Sequence, residues 1–293
     1  MAHSVVPAAE EILDREFRVL DKGFVRLVDY LGGDDPIVQS ARISYGAGTK
    51  PFREDRGLIR YLMRNEHTSP FEQVVFTFHV KLPIFVARQW LRHRTARVNE
   101  ISGRYSVMLQ EFYVPDGKDI ALQSDSNRQG RQTEAVSPEL QEEIAGKLSA
   151  EQESAYEAYQ GLLDQGLARE LARINLPLSL YTEMYWQIDL HNLFHFLKLR
   201  MDPHAQYEIR AYAETMFGIA RRVCPIACEA FEDYALHSVR LSAPEVAVLR
   251  RALGLSAEAE TVPEAIREAA GQAEMSEKAL SRLVGKLGEA IDE

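Results

Sequence analysis

The clearest alternation in the chain runs from Phe71 to Val80, where Val74, Phe76, Phe78 and Val80 fall on one face. Apolar residues at period two predict a half-buried strand. Upstream, two β-rich runs between Phe17 and Leu31 flank Asp21-Lys22-Gly23, the pattern of a hairpin. Asp35 as cap and Pro36 in the first turn predict a helix reaching about Tyr45. Leu58, Ile59, Leu62 and Met63 repeat at helical spacing and stop before His67. Past Lys81-Leu82, Pro83 opens a predicted helix that runs to Arg94. Residues 116 to 137 are polar and full of turn formers, which predicts a long loop. Ser137-Pro138 begins a long polar helix reaching about Gln165, broken by Gly166. A shorter helix then carries Arg169 and Arg173 on one face, up to Asn175-Leu176-Pro177. Tyr181 to Ile188 reads as a strand. Asp189 caps a helix with the apolar stripe Leu190, Leu193, Phe194 and Leu197, and with His191 and His195 on its other side. A further helix is predicted from about His204 to Val223.

From Leu241 onward the character changes. The segment is alanine-rich, holds ten acidic and six basic residues and no aromatics, and contains two capping boxes, Ser242 to Glu245 and Thr261 to Glu264. Two or three small helices outside the core are expected there, which places a domain boundary between 1–240 and 241–293. The whole pattern predicts an α+β protein. Its antiparallel-rich sheet would be flanked by helices, with a helical subdomain and a helical C-terminal extension.

A hydrophobic fraction of 46% and a charged fraction of 27% over 293 residues are those of a soluble globular chain with an ample core. Cys224 and Cys228 are the two cysteines, too few for a disulfide framework and in keeping with a reducing cytoplasm. The N-terminus, with Glu10, Glu11, Asp14 and Glu16, lacks the basic-then-apolar order of a signal peptide. No apolar run approaches the ~20 residues of a membrane helix. The formal charge of −10 disfavours general nucleic-acid binding, which neutralises many phosphates.

Against that background, residues 92 to 104 carry four arginines and a histidine with a single glutamate. Arginine presents a planar fork of donors that fits phosphate. On a helix through Arg94, Gln89, Arg92 and His93 would share a face while Arg94 points elsewhere, so two anions could be held. On an extended backbone, Glu100, Ser102 and Arg104 would lie on one side. A solvated basic patch is the plain alternative. There is no Gly-x-Gly-x-x-Gly after a strand and no Gly-Lys-Ser/Thr phosphate loop. His191 and His195 have a spacing that also binds zinc. However, the segment lacks the zincin glutamate and an evident third ligand, so no metal is expected.

Arg92-His93-Arg94, seven intervening residues and then Ser102 resemble the signature of the flavin-dependent thymidylate synthases. The resemblance extends to Asn65-Glu66-His67 with Ser69-Pro70-Phe71-Glu72, and to Gln89-Trp90. It continues through Arg169-Glu170-Leu171-Ala172-Arg173, Phe196-Leu197-Lys198-Leu199-Arg200 and His204-Ala205-Gln206-Tyr207-Glu208. It covers roughly residues 15 to 235 in order. Position 97, often a small hydroxyl residue in the family, is Arg97 here.

The resemblance implies an enzyme that converts dUMP to dTMP, taking its carbon from 5,10-methylenetetrahydrofolate and its hydride from FAD reduced by NADPH. It implies a homotetramer with sites shared between subunits. FAD would be held by Ser69, Arg92, His93, Arg94 and Glu100, joined from another subunit by Asp189, His191 and His195. Some relatives carry asparagine and arginine where Asp189 and His191 stand. The implied dUMP contacts are Gln89, Trp90, Leu91, Arg92, Glu100, Ile101, Ser102, Gly103, Arg104, Arg173 and Arg200. His67 would lie on the folate side. Arg200 would favour the N3-deprotonated uracil, because a fixed cation stabilises negative charge on the ring.

Two rival readings remain open at this point. A nucleic-acid module would use Arg92 to Arg104 as its basic face, but of the aromatics such a face interleaves only Tyr105 is close. A cysteine-dependent methylase would need a nucleophile, and Cys224-Pro225-Ile226-Ala227-Cys228 reads as structural. Ser102 as nucleophile would need an adjacent, oriented base. It reads better as a phosphate or substrate ligand.

Overall fold

The structure is a computed structural model that describes residues 5–43, 55–125, 128–252, 264–273 and 275–288. Seven strands are present among these residues: β1 (Glu16–Val19), β2 (Gly23–Leu31), β3 (Val75–Pro83), β4 (Arg97–Glu100), β5 (Ala121–Gln123), β6 (Arg131–Ala135) and β7 (Tyr181–Asp189). Five of them form a sheet in the order β1-β2-β3-β7-β4, with every pairing antiparallel. The α+β class with an antiparallel-rich sheet is borne out. So are the hairpin at Asp21-Lys22-Gly23 and the Tyr181 strand.

The helices are α1 (Pro7–Glu10), α2 (Asp34–Ile43), α3 (Asp55–Arg64), α4 (Ile84–Trp90), α5 (Pro138–Asp164), α6 (Arg169–Ala172), α7 (Leu190–Arg200), α8 (Tyr207–Val223) and α9 (Pro225–Phe231). One face of the sheet is the core. Phe76, Phe78, Val80 and Leu82 of β3 and Met184, Trp186 and Ile188 of β7 are buried there. Against them α8 buries Ile209, Tyr212, Ala213, Met216, Ile219, Ala220 and Val223. Each large apolar side chain removed from water this way contributes ~1.5–3 kcal/mol before conformational entropy is set against it. In β2 the buried positions switch from Val25 and Leu27 to Tyr30, because the register with β3 slips between Leu27 and Asp29. A bulge of one residue moves every later side chain to the other face. A smaller cluster of Met108, Phe112, Tyr159, Ala172 and Leu180 seats α5 and α6.

Several element ends differ from the sequence pattern. β3 starts at Val75 rather than Phe71, because Phe71–Gln73 is a 3-10 turn closed by Phe71 N donating to Thr68 O at 2.9 Å. α2 starts at Asp34, whose carboxylate accepts from Ile226 N and Ala227 N at 2.9 Å each and so caps α9 instead of its own helix. The expected end of α2 near Tyr45 lies outside the described residues. The expected loop over 116–137 contains the β5–β6 hairpin. α8 begins at Tyr207, since Asp202 folds the preceding residues into a turn by accepting from His204 N at 2.8 Å.

The chain divides into two units, residues 1–237 and 238–293. The second holds α10 (Ala243–Ala252), α11 (Glu264–Gln272) and α12 (Glu277–Gly288), with Ile266, Ala270 and Leu280 buried together. Its first capping box is formed: Ser242 N and Oγ both donate to Glu245 Oε2, at 2.7 and 2.6 Å. The second box begins at Thr261, outside the described residues.

Candidate active site

The β3 strand passes through Pro83 directly into α4, and α4 stops at Trp90. Trp90 itself is fully buried, with its ring 4.7 Å from Phe196 and 5.2 Å from Trp186 between centroids. That anchor fixes where the chain emerges. His93 N then donates to Trp90 O at 3.0 Å in a turn, so helical spacing no longer governs the residues beyond. Arg92, His93 and Arg94 consequently line one cavity of about 310 Å³, together with Thr95, Ile188, Asn192, His195, Leu199 and Arg200. The sequence expectation that Arg92 and Arg94 point to different places is corrected by this early helix end.

Three arginines and two histidines line this cavity, and no carboxylate does. Among the described residues neither Arg92 nor Arg94 forms a salt bridge. Arg200 is the ordered one. Its Nε donates to His93 Nε2 at 3.0 Å and its Nη2 to the Gln89 main-chain oxygen at 3.2 Å. Accepting at Nε2 requires a neutral His93 with its proton on Nδ1. Burial, then Arg200, then His195 lower the His93 pKa from 6.5 to about 4. Burial and the nearby Arg92 also lower that of Arg200, which stays a cation at neutral pH. The result is an oriented guanidinium without a carboxylate partner among the described residues, and such a group favours an incoming anion.

The second group of predicted residues lies on the strand edge. β4 ends at Glu100, which accepts from Thr182 Oγ1 at 2.6 Å, and Ile101 N donates to Glu183 O at 2.9 Å. The chain then turns. Tyr105 N and Ser106 N donate to Ser102 O at 3.1 and 3.0 Å, so Glu100, Ser102 and Arg104 are not an extended row as the alternation suggested. Ser102 Oγ accepts from Arg104 N at 3.3 Å, and no histidine contacts it among the described residues. The Arg173 side chain folds over Gly103: a Cβ there would sit 3.1 Å from Arg173 Cδ and 3.0 Å from Met108 Sδ. Arg104 pairs with Glu170 at 3.2 Å. Ser102, Gly103, Arg104 and Arg173 are therefore one cluster, and none of them lines the Arg200 cavity.

Other predicted residues are more dispersed. On α7 the cavity face is Asn192, His195 and Leu199, a three- and four-residue spacing. His191 and Asp189 are not on it. Asp189 caps α7, accepting from Asn192 N at 2.9 Å. Asn192 and Thr95 were missed by sequence reading. Projecting the helix one turn back from His195 would have found Asn192. The Trp90 indole is in the core, so contact from Trp90 to a ligand can only come through its main chain. Gln89 Nε2 donates to Gln206 Oε1. Leu91 is exposed next to the cavity residues. Ser69 and His67 are exposed on the turn before the Phe71–Gln73 segment, with the His67 ring edge-on to Tyr61 at 5.8 Å. Both cysteines are buried free thiols, and burial pushes both pKa values well up, the state of an inert thiol rather than a nucleophile. Among the described residues no three His, Cys, Asp or Glu side chains gather as a metal site requires, and no helix is long and apolar enough to cross a membrane.

The family model described as thymidylate synthase complementing protein matches residues 26–226. A flavin-dependent thymidylate synthase of Treponema denticola is 68% identical over 238 residues, covering 81% of this chain and 90% of that protein. The chain belongs to the flavin-dependent thymidylate synthases. A second member of this family, from Treponema pallidum, is 60% identical over 261 residues, covering 88% of this chain and 86% of the other. Among solved structures, a UMP/dUMP methylase, PolB of Streptomyces cacaoi, bound with 5-Br UMP, is 36% identical with a TM-score of 0.67. That match covers 76% of this chain and 98% of the methylase. The family model thus spans β3, β4 and β7, the Arg200 cavity and the Ser102 turn, and ends within the first unit.

Proposed function

We propose that this chain converts dUMP to dTMP, with 5,10-methylenetetrahydrofolate as carbon donor and NADPH as reductant. One observation carries the reading most directly: Arg200 is held on the cavity wall by His93 and the Gln89 main chain, with no carboxylate to neutralise it among the described residues. A cation fixed in that way stabilises negative charge that develops on a bound ring. In the proposed role, Arg200 favours the N3-deprotonated uracil and raises electron density at the carbon to be alkylated. His93 keeps the guanidinium oriented while remaining neutral, so it adds no competing charge. Ser102 acts as a ligand hydroxyl. Glu100, Ile101, Gly103, Arg104 and Arg173 complete the nucleotide contacts with Gln89, Leu91 and Arg92.

FAD fits the donor set. Arg92, Arg94 and His195 line one cavity that no carboxylate lines, as a dinucleotide's phosphates require, and Asn192 lines it too with its side-chain amide donating to Asp189 at 2.8 Å. Ser69, Glu100, Asp189 and His191 would hold it from beyond that cavity. When bound and reduced, the flavin supplies the hydride, which removes the need for a protein nucleophile.

The Arg200 cavity and the Ser102–Arg173 cluster are separate in one chain, and we propose that a homotetramer brings one to the other across subunits. Tyr105, Leu109, Leu171, Ile174 and Leu178 around the cluster are all exposed, between 51% and 78%, and exposed apolar side chains grouped this way suit an interface. His67 is proposed for the folate side, the cytoplasm for the location, and residues 1–240 for the catalytic domain. The test is a visible spectrum of the purified protein followed by dUMP titration. Flavin bands released on denaturation are expected. A colourless protein that cannot be loaded with FAD overturns the reading and leaves a nucleic-acid-binding module.

A further inference from the structure

The β5–β6 hairpin is tied to the first turn of α8 by Arg131 of β6. Arg131 Nη1 donates to Glu208 Oε1 at 3.2 Å, and Tyr113 Oη donates to the same oxygen at 3.1 Å. The Glu208 side chain is only 4% exposed. Arg131 also lies 5.1 Å over the Tyr207 ring. Glu208 Oε2 and Arg131 Nη2 are buried without a hydrogen-bond partner, so the carboxylate is held through Oε1 alone, by Arg131 and Tyr113. A buried carboxylate stripped of its cation is strongly disfavoured, which ties the hairpin to the first turn of α8.

That turn is linked to the cavity residue Arg200. Gln206 immediately precedes α8, and its Oε1 accepts from Gln89 Nε2. The main-chain oxygen of the same Gln89 accepts from Arg200 Nη2 at 3.2 Å. We propose that Arg131 is a positioning residue for the nucleotide site: by pairing with Glu208 and stacking on Tyr207 it fixes the start of α8, and Gln206 passes that constraint to Gln89 and Arg200. The inference rests on the dUMP reading above. It predicts an effect on substrate binding from a residue on a separate two-stranded sheet that touches neither cavity nor ligand cluster.

Calorimetric titration of the FAD-loaded full chain with dUMP tests it, using Arg131→Ala, Arg131→Lys and Gln206→Ala. Thermal unfolding and the pH titration of His93, followed by NMR of isotope-labelled histidine, run alongside. Arg131→Ala is expected to weaken dUMP binding about tenfold, the scale of one lost hydrogen bond to a charged group. Gln206→Ala should match it without lowering Tm, and Arg131→Lys should fall between, keeping charge but losing the planar stack. In both alanine variants the His93 midpoint should rise from about 4 as Arg200 loses its alignment. A lowered Tm with wild-type dUMP affinity and an unmoved His93 midpoint makes Arg131 purely structural and overturns the proposal. If Arg131→Ala does not fold, the other two variants decide on the same readouts. A wild-type protein that fails to bind dUMP overturns the functional reading instead, and the His93 midpoint still decides the positioning role.

Discussion

Replacing Arg200 with alanine separates the two jobs given to that residue. The substitution removes the donor to His93 Nε2 and the donor to the Gln89 carbonyl, and it deletes the cation facing the cavity. Taking away a fixed donor aimed at developing negative charge costs ~2.7–4 kcal/mol of barrier in comparable sites, so turnover at saturating dUMP should fall roughly 10²–10³-fold. Flavin retention should change much less, because Arg92, Arg94, Asn192 and His195 remain. The same variant reports on His93. Burial is the largest cause of its lowered pKa and Arg200 the second, so the midpoint should rise from about 4 yet stay below 6.5. The sign also sets a pH dependence for the wild type. A ring whose pKa is lowered in the fold favours folding fully above pH 6.5 and loses that contribution as pH falls from 6.5 through about 4. At ~1.4 kcal/mol per tenfold in proton affinity the ceiling is roughly 3 kcal/mol, and solvent screening at an open cavity reduces it to about half. Steady-state kinetics with flavin occupancy checked by absorbance, and histidine NMR against pH, are the assays. Near-wild-type turnover in Arg200→Ala, or an unmoved His93 midpoint, refutes the reasoning.

Ser102→Ala should weaken dUMP binding or raise the barrier by about 1–3 kcal/mol without abolishing chemistry, since the hydroxyl is read as a ligand; a covalent dUMP adduct on Ser102 in mass spectrometry would contradict this. Gly23→Ala should destabilise strongly, because its Cβ would lie 1.9 Å from Tyr212 Oη and 2.8 Å from Lys81 O. Tyr212 Oη would lose its bond to Lys81 O (2.7 Å), so a loss of about 1–3 kcal/mol or more in denaturant unfolding is expected, and a neutral result refutes the packing account. Deleting residues 238–293 should leave FAD and dUMP binding intact, and a folded truncation that binds neither makes the second unit part of the site.

The strands and long helices were legible because their apolar spacing is dictated by a single buried face. Phe76, Phe78 and Val80 must alternate to enter the core, and Leu190, Leu193 and Leu197 must repeat at helical spacing. The ends were not legible where distant groups decide them. Asp34 caps α9, an element more than 190 residues away, and nothing in its local sequence announces that. The signature arginines stood out as a candidate anion site from charge, with a solvated basic patch as the alternative, but their geometry followed from Trp90 locking α4 to an early stop. The β5–β6 hairpin was hidden because its short strands lack an apolar face, and a tie to the body comes from an ion pair between Arg131 and Glu208, which are far apart in sequence.

The central claim is a reaction, and its products test it. The FAD-loaded protein, given dUMP, 5,10-methylenetetrahydrofolate and NADPH, should yield dTMP, tetrahydrofolate and NADP⁺ in equal amounts by chromatography and mass spectrometry. NADPH consumed without dTMP, or dTMP formed with dihydrofolate in place of tetrahydrofolate, contradicts the account.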